Sequence, residues 1–424
     1  MEKNKEIENY LKKNLNLNFK GNNMNVEKIR EDFPLIKKSH IIYFDSACTT
    51  LKPQQVVDAI VEYYTEYTGC AGRSIHKLAT KTTEKFEEAR EKVARFINAK
   101  DSAEIIWTKN TTEAMNLVAH GFNFKKGDSV ITTNLEHSSG LLPWQVLADK
   151  GIIDLDFVLC NKDGEFDVEK FKEKIDKKTK LVSIVFTSNV TGTTAPLKEI
   201  VKIAHDSGAV VIADGAQAVP HIEIDVRKLD VDFLAFSGHK MCGPTGIGCL
   251  YGKKNLLEKL KPFIVGGETI RDAELKTHVF DDIPNRLEAG IQHYAGAIGF
   301  GAAVDYLTKI GMKNIEEHEK KLAKSLIEGL LKISNLSLIG TEDWRKRNAL
   351  ASFNIEGMEP HDVATFLDKE NIAVRSGMHC AYPFHKFVGK SKGSVRASLY
   401  FYNTEEEIEI FLKKLNNIVK TFLG

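Results

Sequence analysis

Between residues 105 and 251 one alternation repeats: a short apolar run rich in β-branched residues, then a longer stretch with helical periodicity. The runs are Ile105 to Thr108, Val130 to Thr133, Ile152 to Val158, Leu181 to Thr187, Ala209 to Asp214, Val231 to Phe236 and Gly246 to Tyr251. Strands alternating with helices predict an α/β fold, and seven strands in one stretch imply one large sheet. Helical patterns run from Pro53 to Tyr67 and from Lys81 to Phe96, the first opened by proline at a helix start.

Two long helical patterns, Tyr294 to Ile310 and Asn314 to Ile333, break the rhythm. Shorter strands follow near Leu350 to Ile355, Ile372 to Val374 and Val395 to Ser398, then a closing helix from Glu405 to Phe422. This predicts a second, smaller α+β domain. The expected division is an extension over residues 1–25, a segment 26–42 that packs with the small domain, a large domain 43–293 and a small domain 294–424. The Lys- and Asn-rich extension has three competing readings: a frayed helix, a docking arm or a disordered lead. A weakly ordered extension is favoured.

Charge narrows the partner. Fifty-nine Lys and Arg stand against 58 Asp and Glu, which argues against nucleic acid or an anionic membrane surface and leaves a small molecule as the default ligand. The six cysteines form no C-x-x-C pair and no zinc spacing, so no metal is expected. They do not read as a disulfide framework either. With no signal peptide and no run of 18 apolar residues, the expected compartment is the cytoplasm.

The chemistry gathers where the strands end. Val231 to Phe236 runs directly into Ser237-Gly238-His239-Lys240, placing an amine at the carboxyl end of a buried strand, where open α/β sheets collect ligands. Such an amine suits Schiff-base chemistry. Ala209 to Asp214 ends on a carboxylate that needs a cation or donors to offset its desolvation. A protonated pyridine nitrogen is a fitting partner; the bland reading is that Asp214 caps the next helix. Asn189, past the strand ending near Thr187, could donate to a phenolate. Asn110-Thr111-Thr112-Glu113 opens a helix that offers hydroxyls and free N–H groups to a phosphate, a role compatible with simple capping. His137 follows another strand end and could stack on an aromatic ring. The segment Gly243 to Gly248 lacks P-loop spacing, which disfavours a nucleotide-binding protein.

Together these segments resemble fold-type I pyridoxal-phosphate enzymes of the class V aminotransferase family, most closely the group II, Suf-type cysteine desulfurases. The resemblance rests on Tyr43-Phe44-Asp45-Ser46-Ala47, Thr111 to Ala119, Asp214-Gly215-Ala216-Gln217 and Ser237-Gly238-His239-Lys240. It implies a large domain with a mainly parallel seven-stranded sheet flanked by helices, and a smaller C-terminal α+β domain. It also implies pyridoxal 5'-phosphate as cofactor. By that resemblance Lys240 forms the Schiff base, Asp214 pairs with the pyridine nitrogen, Asn189 and Gln217 bond the ring oxygen, and His137 stacks over the ring. Thr111, Thr112, Ser237 and His239 hold the phosphate.

Arg375-Ser376-Gly377-Met378-His379-Cys380-Ala381 resembles the desulfurase segment whose cysteine attacks substrate sulfur. Taken alone, Cys380 reads as a buried structural thiol; within this segment it reads as the nucleophile that becomes a persulfide. Arg375 and Arg396, whose bland readings are a rim ion pair and a solvated strand end, would lie near the substrate, with Arg396 the better carboxylate clamp. The implied reaction converts L-cysteine to L-alanine and passes sulfur to an acceptor protein, such as one that assembles iron–sulfur clusters. Selenocysteine is an alternative substrate, and a class V aminotransferase or other C–S lyase an alternative activity. A homodimer is expected from the family. Three positions depart from the family's pattern: Gly72 stands where a histidine is usual, Met378 where a histidine is common, and Ile291 where a threonine often reaches the neighbouring subunit's phosphate, with Gln292 as an alternative contact.

Overall fold

The computed structural model describes residues 24–423, so residues 1–23 of the expected extension lie outside it. Seven strands form the large sheet: β1 (Ile105–Thr108), β2 (Ser129–Thr133), β3 (Asp154–Val158), β4 (Thr179–Val185), β5 (Val210–Asp214), β6 (Phe233–Ser237) and β7 (Gly248–Gly252). Their spatial order is β1-β7-β6-β5-β4-β2-β3. Only β7 runs antiparallel to its neighbours. Since β7 opposes both β1 and β6, those two point the same way, and six strands deliver their carboxyl ends to one edge.

The strands separate their side chains with a period of two. Ile105 and Trp107 of β1, Val211 and Ala213 of β5, and Leu234 and Phe236 of β6 enter one apolar core. Ile106, Ile212, Phe233 and Ala235, the residues between them, enter the core on the opposite face. Helices cover both faces, which is why the strands read as unbroken apolar runs. Helix Tyr294–Ile310, expected at the head of the small domain, packs in the first of these cores beside Val56, Ala89 and Val93.

A four-stranded antiparallel sheet follows: β8 (Leu336–Ile339), β9 (Leu350–Ile355), β10 (Arg375–Gly377) and β11 (Ser394–Ser398), in the order β8-β9-β11-β10. Its core includes Leu322, Leu326, Phe353 and Phe411. The chain's early segment joins here. Ile42–Tyr43 pairs in parallel with Ile372–Ala373, Asp45 bridges to Ser398, and Arg30 Nη1 donates to the Tyr402 carbonyl at 2.7 Å.

The sequence patterns foresee neither β8 nor β10, nor the hairpin Ile270–Ala273 with His278–Phe280. β10 is Arg-Ser-Gly and carries no apolar signal; its extended form comes from pairing with β11, Arg375 opposite Arg396. The hairpin's first strand is exposed throughout, so burial leaves no pattern on it.

Candidate active site

A cavity of about 260 Å³ opens at the edge where the strands end. Lys240 follows β6 through a single 3-10 turn, Asp214 closes β5, and Asn189 follows β4. All three line the cavity, as do Gln217, Ser237 and His239. Thr111, Thr112 and His137 reach it from helix starts after β1 and β2. Arg375, Cys380 and Arg396 reach it from the smaller sheet and the loop after β10. These twelve residues thus meet at one place, across 285 positions of chain from Thr111 to Arg396.

One end of the cavity is a cradle of hydroxyls at a helix start. Asn110 caps helix Thr111–Gly121, its Oδ1 accepting from Glu113 N at 3.0 Å. Thr111 N donates to Ser237 Oγ at 2.9 Å, and the Thr111 and Ser237 hydroxyls lie 2.7 Å apart. Thr112 Oγ1 and Ser139 Oγ are 2.6 Å apart. Gly248 of β7 is required beneath this cradle, because a Cβ there would stand 2.6 Å from the Phe236 carbonyl and 2.9 Å from Asn110 Cα. A helix start with free N–H groups and hydroxyls is built for an anion. Burial first, then Lys240 and Lys52, hold His239 down at about 4, so it stands there neutral.

The middle holds a buried carboxylate and an amine. Asp214 is 4% exposed; burial raises its pKa, opposed by the Ala216 N–H, which donates to Oδ1 at 2.9 Å, and by Lys240. Burial lowers the pKa of Lys240, with Asp214 opposing, which favours a neutral, nucleophilic amine. His137 Nδ1 accepts from Ser139 N at 3.1 Å, so its proton resides on Nε2. Burial, then Lys240, Arg396 and Arg375, push His137 down to about 3. Gln217 Nε2 donates to the Ala47 carbonyl at 2.7 Å.

The far end is cationic. Arg375 and Arg396 stand directly opposite on β10 and β11, an arrangement of like charges that is unfavourable without acceptors. Arg396, 1% exposed, donates to the Asn189 carbonyl at 3.1 Å and to Asp45 Oδ1 at 3.3 Å. Arg375 Nη1 contacts Cys48 Sγ at 2.9 Å. Two guanidinium groups beside a cavity can take up a carboxylate.

The Cys380 loop is held in a strained form. His379 and Cys380 have φ of 49° and 57°, left-handed values that non-glycine residues adopt only where surroundings enforce them. Ser138 N and Oγ both donate to the Cys380 carbonyl, at 2.7 and 2.9 Å. Cys48 and Ser139 also line the cavity and were not singled out in the sequence. Ser139's only signal was its place beside His137, and Cys48's its place in the Asp45 to Thr49 segment. Gln292 is turned away, donating to the carbonyls of Ala289 and Gly290 at 3.1 and 3.2 Å. Ile291 is exposed and borders a separate cavity with Thr108, Glu113 and His293.

The aminotransferase class-V family profile matches residues 42–411, most of the chain and every residue of this cavity. The chain belongs to the class-V aminotransferase family. Pyridoxal phosphate is the cofactor of class-V aminotransferases. Among relatives, a probable cysteine desulfurase of Synechocystis sp. is 44% identical over 402 residues, covering 93% of this chain and 96% of that protein. The apo structure of a cysteine desulfurase from Thermococcus onnurineus NA1 superposes with a TM-score of 0.91 at 43% identity, covering 95% of this chain and 100% of that one. The cysteine desulfurase CsdA of Escherichia coli gives a TM-score of 0.88 at 34% identity, with 95% and 100% covered. Among the described residues no helix is long and apolar enough to cross a membrane.

Proposed function

We propose that this class-V aminotransferase is a cysteine desulfurase of the group II, Suf-type kind. It converts L-cysteine to L-alanine and takes the sulfur onto Cys380 as a persulfide, for delivery to an acceptor protein such as one that assembles iron–sulfur clusters. In this reading it acts as a homodimer in the cytoplasm. The observation that carries the reading is the meeting of Lys240, Asp214 and Cys380 on one cavity, an amine, a buried carboxylate and a thiol from three distant parts of the chain.

The residues present fit pyridoxal phosphate. A helix start with the hydroxyls of Thr111, Thr112 and Ser237, beside His239, suits a phosphate, and the buried Asp214 suits a cationic ring nitrogen. Asn189 and Gln217 would hold the ring oxygen, His137 the ring face, and Lys240 would bind through its amine. When bound, the cofactor supplies a sink for the electron pair left at the substrate's Cα.

Arg396, with Arg375 beside it, binds and orients the substrate carboxylate. Lys240 Nζ, held toward its neutral form by burial, takes the proton from Cα. Cys380 Sγ then forms a bond to the substrate's sulfur as the Cβ–S bond breaks. Cysteine plus thiol gives alanine plus persulfide, so atoms and electrons balance without an outside oxidant. The pinned backbone at His379 and Cys380 keeps this sulfur facing the cavity.

Two measurements on the purified chain test the reading. A visible absorption band that Lys240→Ala abolishes is expected from the cofactor, and equal amounts of alanine and sulfide are expected from cysteine with a thiol reductant. A colourless protein would remove the cofactor assignment. Turnover of selenocysteine in large preference to cysteine would make it a selenocysteine lyase.

A further inference from the structure

The two arginines at the far end of the cavity are held in unequal ways. Arg396 is buried and donates to two oxygens, the Asn189 carbonyl and Asp45 Oδ1. Arg375, directly opposite it on β10, is half-buried, and among the described residues its guanidinium makes one hydrogen bond and no ion pair. The acceptor is Cys48 Sγ, 2.9 Å from Nη1. Sulfur is a weak acceptor, so this arginine is parked where a better acceptor can take it.

Cys48 itself stands on a fixed turn. Its N–H donates to the Asp45 carbonyl at 3.0 Å. Within the turn Ser46 N donates to the Ser398 carbonyl at 3.1 Å and Ala47 N to Ser398 Oγ at 3.0 Å, while the Ala47 carbonyl accepts from Gln217. Ser398 lies two residues beyond Arg396 on β11, the strand that also pairs with Arg375. One strand therefore sets the sulfur and both guanidinium groups in place, and all three residues border the cavity.

Charge gives the weak hold its use. Burial raises the pKa of Asp45, opposed by Arg396 and then Arg375, so one carboxylate answers two cations. The excess positive charge is what a substrate carboxylate would neutralise. Its bonds to Arg375 would be charge-assisted, roughly twice as strong as neutral ones, and would displace the sulfur.

We propose that Cys48 is a positioning residue for substrate binding: its sulfur holds the Arg375 guanidinium beside Arg396 before substrate arrives and yields it to the substrate's α-carboxylate. The inference rests on the reading that this arginine pair binds that carboxylate. A guanidinium already in place spares the ordering of a long side chain at the moment of binding.

Kinetics and alkylation of the holoenzyme test it. Cys48→Ala should raise KM for cysteine roughly three- to tenfold and leave kcat within about twofold, the pattern of a lost binding contact. Cys48→Ser, whose hydroxyl accepts from an arginine, should restore KM. In Cys380→Ala holoenzyme, peptide-resolved alkylation reads Cys48 directly: saturating L-alanine should slow it about fivefold or more, and ethylamine, the same amine without the carboxylate, should not. An unchanged KM in Cys48→Ala, no rescue by serine, or equal effects of the two amines on alkylation would overturn the proposal. Failure of the wild-type enzyme to release alanine from cysteine would overturn the desulfurase reading instead, and alkylation under L-alanine tells the two failures apart.

Discussion

Asn189 Nδ2 donates to the backbone carbonyl of His379 at 2.7 Å, joining the end of a central strand to the loop that carries Cys380. The bond sets the thiol's loop against the side chains expected to hold the cofactor. Asn189→Ala leaves that carbonyl without its donor, a loss of roughly 1–3 kcal/mol concentrated on the loop. Persulfide formation should fall about tenfold or more, read by trapping Cys380 with an alkylating reagent after a single turnover. An unchanged rate would mean that Ser138 alone holds the loop.

Arg396→Lys keeps the charge and removes the planar fork that meets a carboxylate. Charge-assisted bonds contribute about 1.5–3 kcal/mol, so KM for cysteine should rise by roughly 10- to 100-fold, more than kcat falls. Steady-state alanine production checks this, and an unchanged KM would move the carboxylate elsewhere.

Asp214→Asn should fold and retain the cofactor while losing mostly kcat, because the carboxylate acts on charge that develops after binding. Its buried partner Lys240 loses the group that favours its protonated form. The visible band should therefore shift as well as the rate, and a loss confined to KM would contradict this role.

Buried histidines and a buried carboxyl make stability depend on pH in opposite senses. His137, His239 and His379 are held at about 3, 4 and 2, below the ordinary 6.5. Between those values the unfolded chain binds more protons than the folded one, so stability present above 6.5 is lost as pH falls toward 4. Glu136 behaves in the other sense. Burial, with Asp214 as a smaller contribution, pushes it from 4.5 up to about 8; between those values only the folded chain holds the proton, so this contribution is full below 4.5 and is lost as pH rises to about 8. Urea midpoints across pH measure both contributions; Glu136→Gln should remove the fall in stability between about 4.5 and 8 and leave the loss below 6.5 from the histidines in place.

The large sheet was legible because six of its seven strands are buried along nearly their whole length and bounded by polar turns, and β1 is found at the positions expected, Ile105–Thr108. Lys240, Asp214 and Asn189 were legible because a polar group close behind an apolar strand stands at the sheet edge where ligands gather. β10 was not, since Arg375, Ser376 and Gly377 form a strand only through β11. Cys48 was also missed as a cavity residue: its place against Arg375 depends on a contact across 327 residues, which no local pattern encodes.

The central claim is that Cys380 carries the substrate's sulfur. Mass analysis of peptides from protein incubated with cysteine, alkylated without reductant, tests it most directly. The account predicts one added sulfur atom on Cys380 together with released alanine, and loss of both sulfur label and desulfuration in Cys380→Ala while the cofactor band remains. Undiminished alanine and sulfide from Cys380→Ala would contradict it.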